Sequence, residues 1–311
     1  MPFHTRMKPF VALLALVFSM AIPSRGQESG LAFLRIGTNA AALAMGDAQV
    51  AHSRDAFSTY WNPAGLAAAP SNTVAVAHHL WVGDVRTYAL ASRFRAGASG
   101  GVGFFVTATG SGDLEARDGP GEATGLFDAQ FLSAGASYGR SLGPLRAGAT
   151  LKFLTERIFT DQATGVAVDF GLQVDLLQNL LQLGAALQNV GEMSELNAQA
   201  TRLPRLLRVG AAVFPFRILT LDDDAPVLNT FVTAEVLHSF TDESTQYHFG
   251  LSAEVMELVT VRAGYITNDA LRDLSFGGGL RFGGMIFDYA LLPFAEGFGG
   301  TGHILTLSYG W

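Results

Sequence analysis

No cysteine occurs in the 311 residues, which excludes a disulfide frame, a thiolate metal site and a lipid anchor on an amino-terminal Cys. Lysine is nearly absent, at Lys8 and Lys152 alone, so the positive charge is almost entirely arginine. Charged residues make up 15% of the chain, where a soluble protein carries about 25%. No apolar run reaches the ~18–20 residues that a spanning helix needs. Net charge is −7 and no basic stretch interrupts it, which argues against a nucleic-acid partner.

Catalytic patterns are missing too. His78 and His79 are adjacent, so a strand points them to opposite faces and they share no metal. Gly297, Gly299 and Gly300 lack the Gly-Lys-Ser/Thr tail of a phosphate loop, and Ser133 has no nucleophile elbow around it. The expectation is a protein without enzymatic activity, cofactor or metal.

What is present is hydrophobicity: 49% of residues, with a mean hydropathy of +0.28. Such a chain without a spanning helix hides its apolar surface in a soluble core, or shows it to lipid from alternate positions of barrel strands. The first 26 residues read as a signal peptide. Arg6 and Lys8 form its basic region, Phe10 to Ile22 its apolar core, and Ser24 and Gly26 the small residues before a cut at Gln27. Export fits the outer membrane of a Gram-negative cell.

From Thr73 onward the two-residue period decides for the barrel. Val166, Val168, Phe170, Leu172 and Val174 share one face of a strand, against Ala167, Asp169, Gly171, Gln173 and Asp175. The same alternation marks 146–153, 247–255, 259–265 and 285–291, whereas Phe127 to Tyr138 changes parity midway, as at a bulge or a misplaced strand boundary. Strands are expected to start near 73, 85, 101, 126, 145, 165, 180, 206, 228, 246, 258, 274, 285 and 302: about fourteen, an even number as bacterial barrels require. With the first strand running outward, even-numbered connections such as Leu177 to Asn179 are short periplasmic turns. Odd-numbered ones such as Gly110 to Gly125 are longer external loops. Val82 to Asp84 and Phe216 to Pro226 break that rule. The final strand sets His303, Leu305, Leu307, Tyr309 and Trp311 on one face. An aromatic-ended last strand, here Tyr309 and Trp311, is the signal that barrel-assembly machinery is thought to read.

Residues 27–72 do not alternate. Ala40 to Ala44 favours a short helix, and the segment's small apolar residues suit an amino-terminal plug inside a barrel spanning 73–311. The expected fold class is therefore all-β: a transmembrane antiparallel barrel of about fourteen strands with a short helical or irregular luminal plug.

The runs Phe33 to Gly37, Ala44-Met45-Gly46-Asp47-Ala48, Asp55-Ala56 and Tyr60-Trp61-Asn62-Pro63-Ala64-Gly65-Leu66 resemble the opening of PorV/PorQ-family outer-membrane proteins. More distantly they resemble FadL-type transporters. Ala186 to Gly191, Leu203-Pro204 and Arg208-Val209-Gly210 add to the likeness. It implies a FadL-like barrel with Gly46, Asp47, Asn62, Pro63 and Ala64 in the luminal plug, either structural or gating. It also implies a role in type IX-like secretion or surface attachment, with cargo carboxyl-terminal domains and other secretion components as partners beside outer-membrane lipid. The alternative is a FadL-like passive transporter of hydrophobic small molecules, and a third reading is a barrel with no substrate. From the alternation itself, Arg146, Lys152, Asp169, Asp175, Arg208, Glu235, Glu254, Arg262 and Asp288 are candidates for a mixed-sign luminal network bracing the plug.

Overall fold

Strands whose one face is apolar and whose other face is polar satisfy every backbone group only when the sheet closes on itself. The computed structural model shows such a closure. It describes residues 31–68, 71–116, 123–196, 199–215, 228–295 and 300–311. The expected signal peptide, the Phe216 to Pro226 connection, Gly297 and Gly299 lie outside them.

The strands are β1 Thr73–Leu80, β2 Arg86–Ala96, β3 Gly100–Ala116, β4 Gly125–Leu142, β5 Leu145–Ile158, β6 Asp161–Leu176 and β7 Leu181–Met193. After the two-residue β8 Glu195–Leu196 and β9 Gln199–Ala200 come β10 Leu206–Val213, β11 Leu228–Ser239 and β12 Ser244–Val255. The chain ends with β13 Val259–Ile266, β14 Leu274–Phe282, β15 Met285–Pro293 and β16 Thr301–Gly310. Strands β8 and β9 pair only with each other; the other fourteen form a closed antiparallel barrel in chain order. The seam joins β1 to β16, from Thr73 opposite Gly310 to Leu80 opposite His303. Each expected strand start falls within four residues of the observed one.

Side chains divide by parity as the alternation requires. In β6, Val166, Phe170 and Leu172 are about half exposed, whereas Asp169 and Gln173 are buried. The outer face continues around the barrel through Leu90, Phe104, Leu151, Phe153, Leu251, Val261, Phe287 and Leu307. A continuous apolar exterior of this extent is far larger than a soluble monomer shows. It matches the lipid-facing band of a membrane barrel.

The parity change expected within Phe127 to Tyr138 is corrected by the structure. β4 keeps one parity throughout, with Leu126, Leu132 and Tyr138 outward. The register shift lies on its partner β3, between Ser111 and Leu114. The sequence misleads because Phe131 is apolar and yet faces inward, where its ring lies 5.2 Å from that of Phe33 in the plug. A second shift, between β6 and β7, ejects Asn189 from the ladder in the left-handed region at φ 60°.

Both termini of the barrel meet at one end, where Asn72 and Trp311 exchange backbone hydrogen bonds of 3.1 Å. Short turns at 97–99, 143–144, 177–180, 256–258 and 283–284 lie at this end, periplasmic by the general rule for bacterial barrels. Residues 31–68 thread the interior in two 3-10 turns, Ala32–Arg35 and Pro63–Ala67, and two short helices, Ala40–Leu43 and Ser58–Trp61.

Candidate functional site

A plug inside a polar-lined barrel must satisfy its own backbone groups, and short helices leave many of them over. Asn62 handles the hardest point. Its extended backbone ends the helix Ser58–Trp61, its Oδ1 accepts from the Ala64 N–H at 3.1 Å, and Pro63 opens the next turn. Its Nδ2 donates to the carbonyls of Val50 at 2.8 Å, Leu172 at 3.1 Å and Ala185 at 3.3 Å. One fully buried side chain therefore ties the plug to itself, to β6 and to β7. The wall makes room with glycine: a Cβ at Gly171 would strike the Asn62 amide, and one at Gly148 the Pro63 backbone.

Buried charges lock the same segment. Arg208 on β10 donates to Glu235 on β11 at 2.6 Å and to Gln188 on β7 at 3.0 Å, with its guanidinium 5.0 Å from the centre of the Trp61 ring. The other Glu235 oxygen accepts from the Val50 N–H at 2.9 Å, so the pair holds the plug as well as itself. Lys152 lies 2.6 Å from Asp169, and Asn189, the bulge residue, completes that cluster at 2.7 Å from each. Arg146 grips Asp175 through two nitrogens at 2.7 and 2.8 Å, and Arg54 of the plug joins them at 2.6 Å. Arg262 and Asp288 pair at 2.6 Å. Glu254 lies apart from these: it faces a periplasmic cavity, and its ion-pair partner among the described residues is the half-exposed Arg281, at 3.4 Å.

At Gly46 and Asp47 the plug turns with both residues in the left-handed region. The Gly46 N–H donates to Ser275 at 3.1 Å, and His248 Nδ1 lies 2.7 Å from its carbonyl oxygen. Burial pushes the Asp47 carboxyl above its ordinary range, while the Arg272 guanidinium at 2.6 Å works against that shift. All five plug-motif residues thus sit in the lumen, and Arg146, Lys152, Asp169, Asp175, Arg208, Glu235, Arg262 and Asp288 form pairs there.

Two further clamps were not picked out in the sequence. Arg93 donates to the carbonyls of Leu66, at 3.0 Å, and Ser71. Its inward place was readable from Thr87, Ala89 and Ala91, which share its parity. Arg272 lies in the 267–273 loop, where no alternation exists to reveal it.

The two ends of the lumen differ. Toward the extracellular end Leu31, Phe33 and Leu34 pack on Phe131, Leu154 and Leu203 in an apolar cluster. At the periplasmic end a cavity of about 720 Å³ opens beneath the plug, lined by Met45, Arg54, Asp55, Phe231, Glu254 and Arg262 among others. At that rim Trp311 stacks on Tyr309 at 5.8 Å and meets Phe94 edge-on at 6.2 Å, an outward aromatic group at the membrane boundary. No group of three or more His, Cys, Asp or Glu able to hold a metal occurs among the described residues.

No family model and no curated protein matches the sequence. Solved structures do. The Pseudomonas putida toluene transporter TodX superposes with a TM-score of 0.62 at 12% identity, covering 88% of this chain and 99% of that one. A TodX deltaS2 mutant, titled a monoaromatic hydrocarbon channel, gives 0.59 at 14% identity over 88% and 98%. A Pseudomonas aeruginosa FadL homologue gives 0.56 at 12% over 88% and 98%. At these identities the likeness establishes the fold. It also corrects the expected PorV/PorQ-type secretion role, since these neighbours are a transporter, hydrocarbon channels and a FadL homologue, and none ties the chain to type IX secretion. The motifs that suggested it, around Asp47 and Asn62, make the plug's contacts with the wall; a luminal plug needs such contacts whatever the barrel does, so they do not specify secretion. The chain is a fourteen-stranded outer-membrane β-barrel of a Gram-negative cell with FadL-like architecture and its amino-terminal segment inside the lumen.

Proposed function

We propose that this barrel is a passive, non-enzymatic channel admitting small hydrophobic molecules across the outer membrane. The observation that carries the reading is the apolar cluster at the extracellular end of the lumen, where a solute arriving from outside first meets the plug; other apolar plug-wall contacts lie deeper. There the chain's own Leu31, Phe33 and Leu34 fill a socket made by Phe131, Leu154, Leu203 and Ala167. A socket that prefers those side chains to water also prefers an alkyl or aromatic solute, and burying one such group stabilises by about 1.5–3 kcal/mol. The turn Ala32–Arg35 is then a stopper that a solute displaces. Two of the matched structures, a toluene transporter and a monoaromatic hydrocarbon channel, favour the same solute class.

Uptake of radiolabelled toluene and of a long-chain fatty acid by deletion and complemented strains tests this. Complementation raises uptake of at least one of them, whereas rates indifferent to the gene for both contradict the reading.

A further inference from the structure

Above the apolar band, on the extracellular half of the barrel exterior, one row of register partners crosses five strands. Arg86 stands opposite Gly110, Gly110 opposite Gln130, Gln130 opposite Arg157, and Arg157 opposite Gln162. All share the outward parity of Leu90, Phe153 and Val166 and point away from the lumen. The row below holds Tyr88 and Leu132, with His78 stacked on Tyr88 at 4.6 Å, and the next is wholly apolar: Leu90, Val106, Ala134, Phe153 and Val166. The polar row therefore lies where acyl chains give way to headgroups.

This stretch of wall is concave. Ala108, Gly110 and Gly112 floor an open groove of about 840 Å³ that Arg86 and Arg157 flank. With strands about 4.8 Å apart, the two arginine backbones stand about 14 Å from each other. Neither guanidinium makes an ion pair or side-chain hydrogen bond among the described residues, and neither do Gln130 and Gln162. Arg86 and Arg157 are the outward arginines of the extracellular half of the described strands; Arg140, also outward, lies at the periplasmic end. The acids nearby, Asp84 in the groove lining, Asp128 beside Gly112 and Asp161 next to Gln162, stand on the side away from the apolar band.

We propose that this groove binds the headgroup of an outer-leaflet glycolipid phosphorylated at both ends of a short sugar. Each arginine takes one phosphate by charge-assisted hydrogen bonds. Gln130 and Gln162 meet sugar hydroxyls, and Tyr88 and Leu132 receive the first methylenes of the acyl chains. A lone phosphate is a poor match for two cations so far apart. The inference does not rest on the transport reading, because Arg86, Gln130, Arg157 and Gln162 point outward, while the inward Thr109 and Phe131 only back the groove wall.

The test titrates the purified full-length barrel in detergent with bisphosphorylated lipid A, monophosphorylated lipid A and inorganic phosphate, following bound lipid by native mass spectrometry. Bisphosphorylated lipid A binds best, and R86Q or R157Q weakens it about tenfold each. R140Q leaves binding unchanged, and millimolar inorganic phosphate does not compete. Heat-modifiable migration on gels certifies that each variant is a closed barrel. Undiminished binding in a folded R86Q/R157Q double variant overturns the proposal. Equal affinity for the monophosphorylated lipid overturns it as well, and full competition by inorganic phosphate reduces the site to a simple anion site, which also overturns it.

Discussion

The turn Ala32–Arg35 and the segment Asn39–Leu66 both pack apolar side chains against the wall, but the second carries buried ion pairs and amide clamps in addition. The first relies on side-chain contact: Leu31, Phe33 and Leu34 sit against apolar wall residues, and Arg35 reaches the partly exposed Asp242 at 3.0 Å. The second is tied by Asn62, by the Arg208–Glu235 pair and by Asp47–Arg272, groups with 8% exposure or less. Apolar contact is non-directional, so a hydrophobic solute replaces it readily. Buried ion pairs are not replaceable in that way, because breaking one strands a charge. On the proposed channel reading, the outer turn is the part that moves and the centre the part that stays.

Glu235→Ala has the largest expected effect, since it leaves Arg208 buried without its acidic partner and the Val50 N–H without an acceptor. Denaturant titration is expected to show a loss of about 3–5 kcal/mol. Asn62→Ala comes next: it releases three carbonyls and the Ala64 N–H, at about 2–3 kcal/mol by the same titration. Phe33→Ala is expected to cost about 2 kcal/mol and, unlike the others, to raise single-channel conductance in planar bilayers by opening the outer socket. Smallest is Arg281→Ala, at under about 1 kcal/mol, because the Glu254 contact is long and half-exposed. A conductance gain from Asn62→Ala with none from Phe33→Ala would reverse the assignment of moving and fixed parts.

The barrel was legible because lipid and lumen impose opposite demands on successive residues, so strands such as Val166 to Val174 announce both faces at once. Legibility failed where a luminal residue was itself apolar. Phe131 looked like a parity change and is an inward ring packed on the plug. The luminal charges Arg208 and Glu235 were readable as inward from alternation, yet their pairing depends on neighbouring strands' register, which one sequence does not display. The clamp Arg272 lies on a loop with no period at all. Function was least legible: the Asn62-Pro63-Ala64 run records how the plug is seated, and its contacts with β6 and β7 name no cargo.

The three tryptophans supply the most direct check on the two-faced wall and its plug, since Trp311 is outward and 54% exposed while Trp61 is 1% exposed in the lumen. In single-tryptophan variants reconstituted with brominated lipid, fluorescence of Trp311 is expected to be strongly quenched and that of Trp61 to stay bright, with iodide in the buffer leaving Trp61 equally untouched. Strong lipid quenching of Trp61, or indifference of Trp311 to brominated acyl chains, would contradict the arrangement on which everything above depends.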